Sequence, residues 1–124
     1  MAAREEPSPE LVLGRPQVGK NLLSDALALT AAGHIFRNLA RAVDDGSDLE
    51  ARTGMLYGAL LAGIAFGNSG VSAAHALQFA LGAATHTSHG LGTGLLLPYV
   101  MEYNRSARPD EIAELSSLMG GDAV

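Results

Sequence analysis

The sequence predicts an all-α fold, a bundle of about five helices in one domain. Apolar residues recur at helical spacing, capping residues and helix breakers separate the apolar segments, and no segment alternates with the period of two that a strand requires. The length of 124 residues suits a single domain. An apolar fraction of 48% with 17% charged residues excludes a disordered chain.

The chain begins with a segment, residues 1–20, that has no periodicity and is predicted to be a loose tail. The first helix is predicted to start near Ser24 and Asp25, which offer a capping oxygen and an acid for the first turn. It stops at Asp44-Asp45-Gly46. One apolar stripe recurs every four residues along it: Leu23, Leu27, Ala31, Ile35, Leu39 and Val43.

The second helix is predicted to follow a capping box made by Ser47 and Glu50 and to run to about Phe66. Each glycine in a helix costs about 1 kcal/mol relative to alanine, so a glycine-rich face indicates close contact with another helix. That face consists of Gly54, Gly58, Ala62 and Phe66.

The third helix is predicted over residues 71–84, with Ser69 as its cap. A polar turn at 85–88 separates it from a fourth helix, which runs from residue 89 to about 104. Pro98 lies inside that fourth helix and is expected to kink or divide it.

The last helix is predicted to begin with Pro109 at a first-turn position, followed by Asp110 and Glu111, and to end at Gly120-Gly121. Residues 21–124 are therefore expected to form the helical domain.

Charge is distributed unevenly along the chain. Residues 53–101 contain no Asp, Glu, Lys or Arg. Such a stretch lies either in lipid or in the buried centre of something larger than this chain. A spanning helix needs about 20 apolar residues, whereas the best run, 55–66, is broken by Gly67-Asn68-Ser69-Gly70, and histidines follow it. The pattern favours the buried centre over the membrane.

Composition excludes several classes of function. The net charge is −5 and the eight basic residues are scattered, which argues against nucleic-acid binding. The absence of cysteine excludes disulfides, zinc–thiolate sites and a cysteine nucleophile. No apolar run follows the N-terminal charges, so a cytoplasmic location is expected. The composition leaves open whether the chain associates into a homo-oligomer.

Three of the four histidines, His75, His86 and His89, fall within one stretch of 15 residues inside the uncharged segment. His75 falls in the middle of the third helix and His89 at the start of the fourth, so a helical hairpin can bring both imidazoles to one site. Neutral imidazole suits Fe(II) and Zn(II). Spacing alone also permits hydrogen-bonded core histidines. His86 is interpreted as a structural turn residue, and His34 as structural or exposed.

Four segments in this order resemble the iron-containing alcohol dehydrogenases. They are Gly67–Leu77, Leu81-Gly82, Ser88-His89-Gly90 and Leu95–Asn104. The segments Asn21–Leu29 and Asn38–Val43 also look like that family. The resemblance covers about residues 20–120, and its most specific motif is two histidines separated by 13 residues, followed by Leu-Leu-Leu-Pro.

The resemblance implies that His75 and His89 are two of four metal ligands, for Fe(II) or Zn in its place. It also implies NAD or NADP as the hydride acceptor and a small alcohol or aldehyde as the substrate. In the family, the other two ligands are an aspartate and a histidine spaced D-x-x-x-H on a helix upstream. No D-x-x-x-H occurs in this sequence.

The sequence departs from the family in two further respects. The N-terminal α/β domain with its glycine-rich pyrophosphate loop is missing, and Gly90–Gly94 does not replace it, because no strand precedes it and its spacing is wrong. Several family members carry a histidine four residues after the first ligand, where this chain has Phe79. Phe79 can line a substrate and nicotinamide pocket but cannot relay a proton.

The expected function is therefore part of a metal-dependent, NAD(P)-linked alcohol dehydrogenase, with this piece alone inactive. The alternative is a non-enzymatic helical module whose apolar centre serves oligomerisation or interaction with a partner.

Overall fold

The computed structural model describes residues 19–120, and these form five α-helices connected by short turns. The helices are α1 (Leu22–Asp44), α2 (Leu49–Ser69), α3 (Ala73–Thr85), α4 (His89–Arg105) and α5 (Pro109–Leu118). The described range contains no strand, and the predicted all-α bundle is confirmed. The predicted tail lies outside the described residues except for its last two positions, as does Gly121.

α1 and α2 form an antiparallel hairpin in which small residues let the two backbones approach closely. A methyl group added at Gly58 would lie 2.6 Å from Cγ1 of Ile35 and 3.2 Å from the carbonyl oxygen of Ala31. One added at Gly54 would overlap the Asn38 carboxamide. The predicted close contact of the glycine face is therefore confirmed at these two positions.

The start of α1 differs from the prediction, because Asn21 rather than Ser24 is the N-cap. The Asn21 side chain accepts from the backbone N–H groups of Leu23 and Ser24, at 3.1 and 3.0 Å. The Ser24 hydroxyl in turn accepts from the Asn21 N–H. Ser24 is thus the third helical residue of a reciprocal capping box.

The N-cap of α2 also differs from the prediction. Asp48 is the N-cap, and its carboxylate accepts from the Ala51 N–H at 2.9 Å. The Ser47 hydroxyl bonds instead to Asp45 at 2.6 Å, and the Glu50 carboxylate pairs with Arg41. Asp48 is a strong capping residue one position closer to the helix, and it displaces serine from that role.

α2 also extends past its predicted end to Ser69, so Ser69 does not cap α3. The Ser69 hydroxyl donates to the Ala65 carbonyl within α2. α3 begins at Ala73 with Ser72 as N-cap and without a side-chain capping bond.

The second hairpin consists of α3 and α4, and α5 contacts both α1 and α4. α4 continues through Pro98 as one helix, so of the two predicted effects of Pro98 the division does not occur, and the kink stays a prediction. The predicted start of α5 at Pro109 is confirmed.

The buried interior of the described residues consists mostly of small side chains, and no large side chain is fully buried. In α1 three of the four buried residues, Ser24, Ala31 and Asn38, lie seven apart, and the fourth is Gly33. Three members of the predicted stripe are exposed, namely Leu23, Leu39 and Val43. A seven-residue repeat is the spacing that keeps one seam of a helix against a single partner. The predicted four-residue stripe is thus wrong at its ends.

Much of the apolar surface of the uncharged segment lies open. Its exposed large side chains are Leu56, Tyr57, Leu60, Ile64, Phe66, Val71, Leu77, Phe79, Leu91, Leu95, Leu97 and Tyr99. Within residues 19–120 no single helix is long and apolar enough to cross a membrane; α2 and α3 pass that test only as a pair, and they meet at a bend of 103°.

Candidate metal centre

The α3–α4 hairpin brings His75 and His89 together. Their ring centres are 5.2 Å apart, although 13 residues separate them in the chain. The reversal between them uses a left-handed residue, His86, with φ of 56°. This conformation ends α3 and returns the chain so that α4 starts beside the middle of α3.

The separation of the two rings fits a shared ion. With a metal–nitrogen bond of about 2.1 Å and a ring centre about 1.1 Å beyond the nitrogen, two imidazoles at a tetrahedral angle have centres about 5.2 Å apart. His75 is half-buried and His89 is exposed, so the pair has one protected and one open side.

Two phenylalanines extend this pair into a row of four rings. The ring of Phe66, near the end of α2, is centred 6.2 Å from that of His75. The ring of Phe79, one turn after His75 on α3, is centred 6.3 Å from that of His89. Phe79 is 71% exposed. The open side of the histidine pair is therefore bordered by an apolar aromatic surface.

Behind the pair lies Gln78, a residue that the sequence reasoning missed. Its side chain is 3% exposed, and its Nε2 donates to the backbone carbonyl of Thr87 at 3.3 Å. The available signal was a polar side chain three residues after His75 in a mostly apolar helix, because a buried amide needs hydrogen-bond partners.

The other two histidines do not join the pair through ring contacts. His34 on α1 has its ring centre 5.9 Å from that of Tyr57 on α2. His86 is exposed and ends α3, and it borders a groove of about 350 Å³ together with Gln78, Phe79 and His89. The position of His86 is that of the turn residue expected from the sequence.

Among residues 19–120, no group of three or more His, Cys, Asp or Glu side chains is arranged to hold a metal ion. Metal sites in proteins generally use at least three protein ligands. The two imidazoles therefore match part of a donor set in chemistry and in spacing.

Comparison with known proteins identifies the family. Residues 17–124 match the model of the Fe-containing alcohol dehydrogenase family, C-terminal region. The chain is 44% identical over 100 residues to long-chain-alcohol dehydrogenase 1 of Geobacillus thermodenitrificans, an alignment that covers 81% of this chain and 25% of the relative. It is 43% identical over 100 residues to 1,3-propanediol dehydrogenase of Klebsiella pneumoniae, covering 81% and 26%.

Solved structures agree with this assignment. The crystal structure of a 1,3-propanediol oxidoreductase superposes with a TM-score of 0.80 at 42% identity, over 82% of this chain and 27% of that one. An alcohol dehydrogenase from Oenococcus oeni superposes with a TM-score of 0.81 at 38% identity, over 86% and 28%. The chain thus spans about a quarter of the length of these relatives, and it belongs to the Fe-containing alcohol dehydrogenase family, whose C-terminal region it matches.

Proposed function

We propose that this chain provides two metal-ligand histidines, His75 and His89, to an NAD(P)-linked alcohol dehydrogenase that interconverts alcohols with aldehydes or ketones. The observation that carries the proposal is the distance of 5.2 Å between the two ring centres, which fits two ligands of one tetrahedrally coordinated divalent ion. Family membership supplies the reaction class.

His75 and His89 would hold Fe(II) or Zn(II), which would supply Lewis acidity in the complete enzyme, where NAD or NADP would be the hydride acceptor. The residues of this chain hold the ion and shape one wall of the pocket. Phe79 presents an apolar ring beside His89, which favours alcohols with an apolar substituent near the reacting carbon. Phenylalanine has no titratable group, so proton transfer at this position would need His86 or a water molecule.

The chain alone is proposed to be inactive. Two imidazoles are half of the ligand set that the family resemblance implies, and the D-x-x-x-H segment is absent from this sequence. The open apolar side chains of residues 53–101 fit a surface that further protein covers in the active enzyme. That further protein would contribute the remaining ligands and the dinucleotide site.

The test is a calorimetric titration of the purified chain with Zn(II) and, separately, with NADH. The proposal predicts one Zn(II) per chain, bound weakly, with no dinucleotide binding and no alcohol turnover. Micromolar NADH binding together with turnover would refute the proposed inactivity of the isolated chain. Failure to bind Zn(II) would refute the metal-ligand role.

The second candidate, an oligomerisation or interaction module without catalysis, is favoured by the amount of exposed apolar surface. It predicts a sharply melting homo-oligomer whose melting temperature is unchanged by Zn(II) or by a chelator. Analytical ultracentrifugation and thermal melts with and without metal separate the two candidates.

A further inference from the structure

The most unusual polar group in the second hairpin is the carboxamide of Gln78. It lies in a slot between glycines of two helices. A methyl group added at Gly82 of α3 would lie 2.9 Å from the Gln78 Nε2, and one added at Gly92 of α4 would overlap its carboxamide oxygen. Both glycines therefore leave space that this one side chain fills.

The two ends of that carboxamide have different surroundings. Nε2 donates to the carbonyl of Thr87, which lies in the turn two residues before His89. Oε1 is buried and has no hydrogen-bond partner among the described residues. An unpartnered buried acceptor lowers stability, so an apolar side chain of the same shape would remove that cost while giving up the bond to Thr87, and the two effects oppose each other.

The start of α4 has few other polar attachments. Its N-cap, Ser88, makes no side-chain capping bond. Thr85 and Thr87 bond to one another locally. Within residues 19–120, Gln78 makes the one side-chain hydrogen bond from the interior of α3 to the turn that leads into His89.

We infer that Gln78 is a positioning residue, which holds the turn before His89 against α3 and thereby sets the distance between the His75 and His89 rings. This inference rests on the proposed metal-ligand role of the pair. Residues that orient metal ligands from outside the coordination shell commonly affect metal affinity by about tenfold or more. Gln78 acts on His89 through the backbone of Thr87 and touches neither the ion nor the substrate.

The discriminating variant is Gln78→Met, which keeps the length of the side chain and fills the slot but cannot donate to Thr87. A purely structural role predicts that stability and metal binding fall together. A positioning role predicts that they separate, with a melting temperature close to that of the unaltered chain and about tenfold weaker metal binding. Thr93→Val is the matched control, because it removes the other buried unpartnered oxygen without touching the Thr87 contact.

The probe is Co(II) added to the full 124-residue chain, followed by its visible absorption, which reports ligand number and geometry. We expect Gln78→Met to weaken Co(II) binding and alter the spectrum, and Thr93→Val to match the unaltered chain. Equal Co(II) affinity and spectra in Gln78→Met and the unaltered chain would overturn the positioning role.

A second measurement needs no metal. In the metal-free chain, a nuclear Overhauser effect between the ring protons of His75 and His89 is expected for the unaltered protein and for Thr93→Val, and weakened or absent in Gln78→Met. Its retention in Gln78→Met would refute the inference. If the unaltered chain shows this signal but no histidine-dependent Co(II) binding, the proposed function fails while the role of Gln78 is still decided.

Discussion

In the α1–α2 hairpin, Asn38 and Ile35 lie against glycines of the facing helix, and charged side chains fix the connection, where Arg41 pairs with Asp48 and Glu50. In the α3–α4 hairpin the helices are shorter, neither N-cap makes a side-chain bond, and buried oxygens lack partners. Among the described residues, the first hairpin has no buried side-chain polar atom without a hydrogen-bond partner. The second hairpin, which carries the paired histidines, has two such atoms, on Gln78 and Thr93. Unsatisfied buried groups often mark functional sites, where stability is given up for chemistry.

The largest expected difference concerns overpacking of the first hairpin. Gly58→Val should lower the free energy of unfolding by about 2 kcal/mol, because its Cβ would meet Ile35 and the backbone of Ala31. Gly63→Val is the control on the same helix, where an added Cβ meets nothing within 4 Å, and it should change stability by less than about 0.5 kcal/mol. Urea denaturation followed by circular dichroism measures both. Equal effects would mean that α1 and α2 do not pack as described.

A smaller change is expected in the second hairpin. Gly92→Ala should lower stability by about 1 kcal/mol, because its Cβ would overlap the buried Gln78 carboxamide and the cost of moving that side chain outweighs the gain in helix propensity. Gly94→Ala meets nothing within 4 Å and should raise stability by up to about 1 kcal/mol. The same denaturation experiment tests the pair, and a gain in both variants would show that Gln78 moves aside freely.

The smallest effect is a pH dependence confined to the first hairpin. The Ala51 N–H, followed by Arg41, lowers the pKa of Asp48, and the hydroxyl and N–H of Ser47 lower the pKa of Asp45. A carboxylate with a lowered folded pKa stabilises the fold above its unfolded pKa, and that contribution is lost as the pH falls through the folded pKa. Acidification should therefore lower the amide protection factors, which are corrected for the pH dependence of intrinsic exchange, more in α2 than in α4.

Asp48→Asn provides the control for this pH dependence, because asparagine also caps helices but does not titrate. The protection factors of the α2 amides, measured between neutral and acidic pH, should change less in this variant than in the unaltered chain. An identical acid response would show that Asp48 does not contribute to it.

Much of the architecture could be predicted from the sequence, because its signals are local. The proline and acids at the start of α5 marked that helix correctly, and the glycines of α2 marked close packing. The caps were harder, since Ser47 and Asp48 are both good capping residues and the choice between them depends on Arg41 from another helix. Local spacing cannot decide between neighbouring candidates when a tertiary contact favours one.

The candidate site was predictable in part. The interval from His75 to His89 indicated that the two imidazoles converge, and the family resemblance indicated that they are metal ligands. The contact of Gln78 with Thr87 depends on how α3 and α4 lie against each other, with Gly82 and Gly92 providing the space, and no local pattern reports it. A residue that acts through a neighbouring turn can be identified only from the three-dimensional position of that turn.

The central claim is that His75 and His89 bind one ion jointly, and a double-mutant cycle on Zn(II) affinity tests it most directly. Calorimetry on the unaltered chain, His75→Ala, His89→Ala and the double variant should give one ion per chain, a loss of about tenfold or more for either single change, and little further loss for the double. His34→Ala serves as the control and should bind as the unaltered chain does. Two independent sites, or an affinity indifferent to either His75→Ala or His89→Ala, would contradict the account.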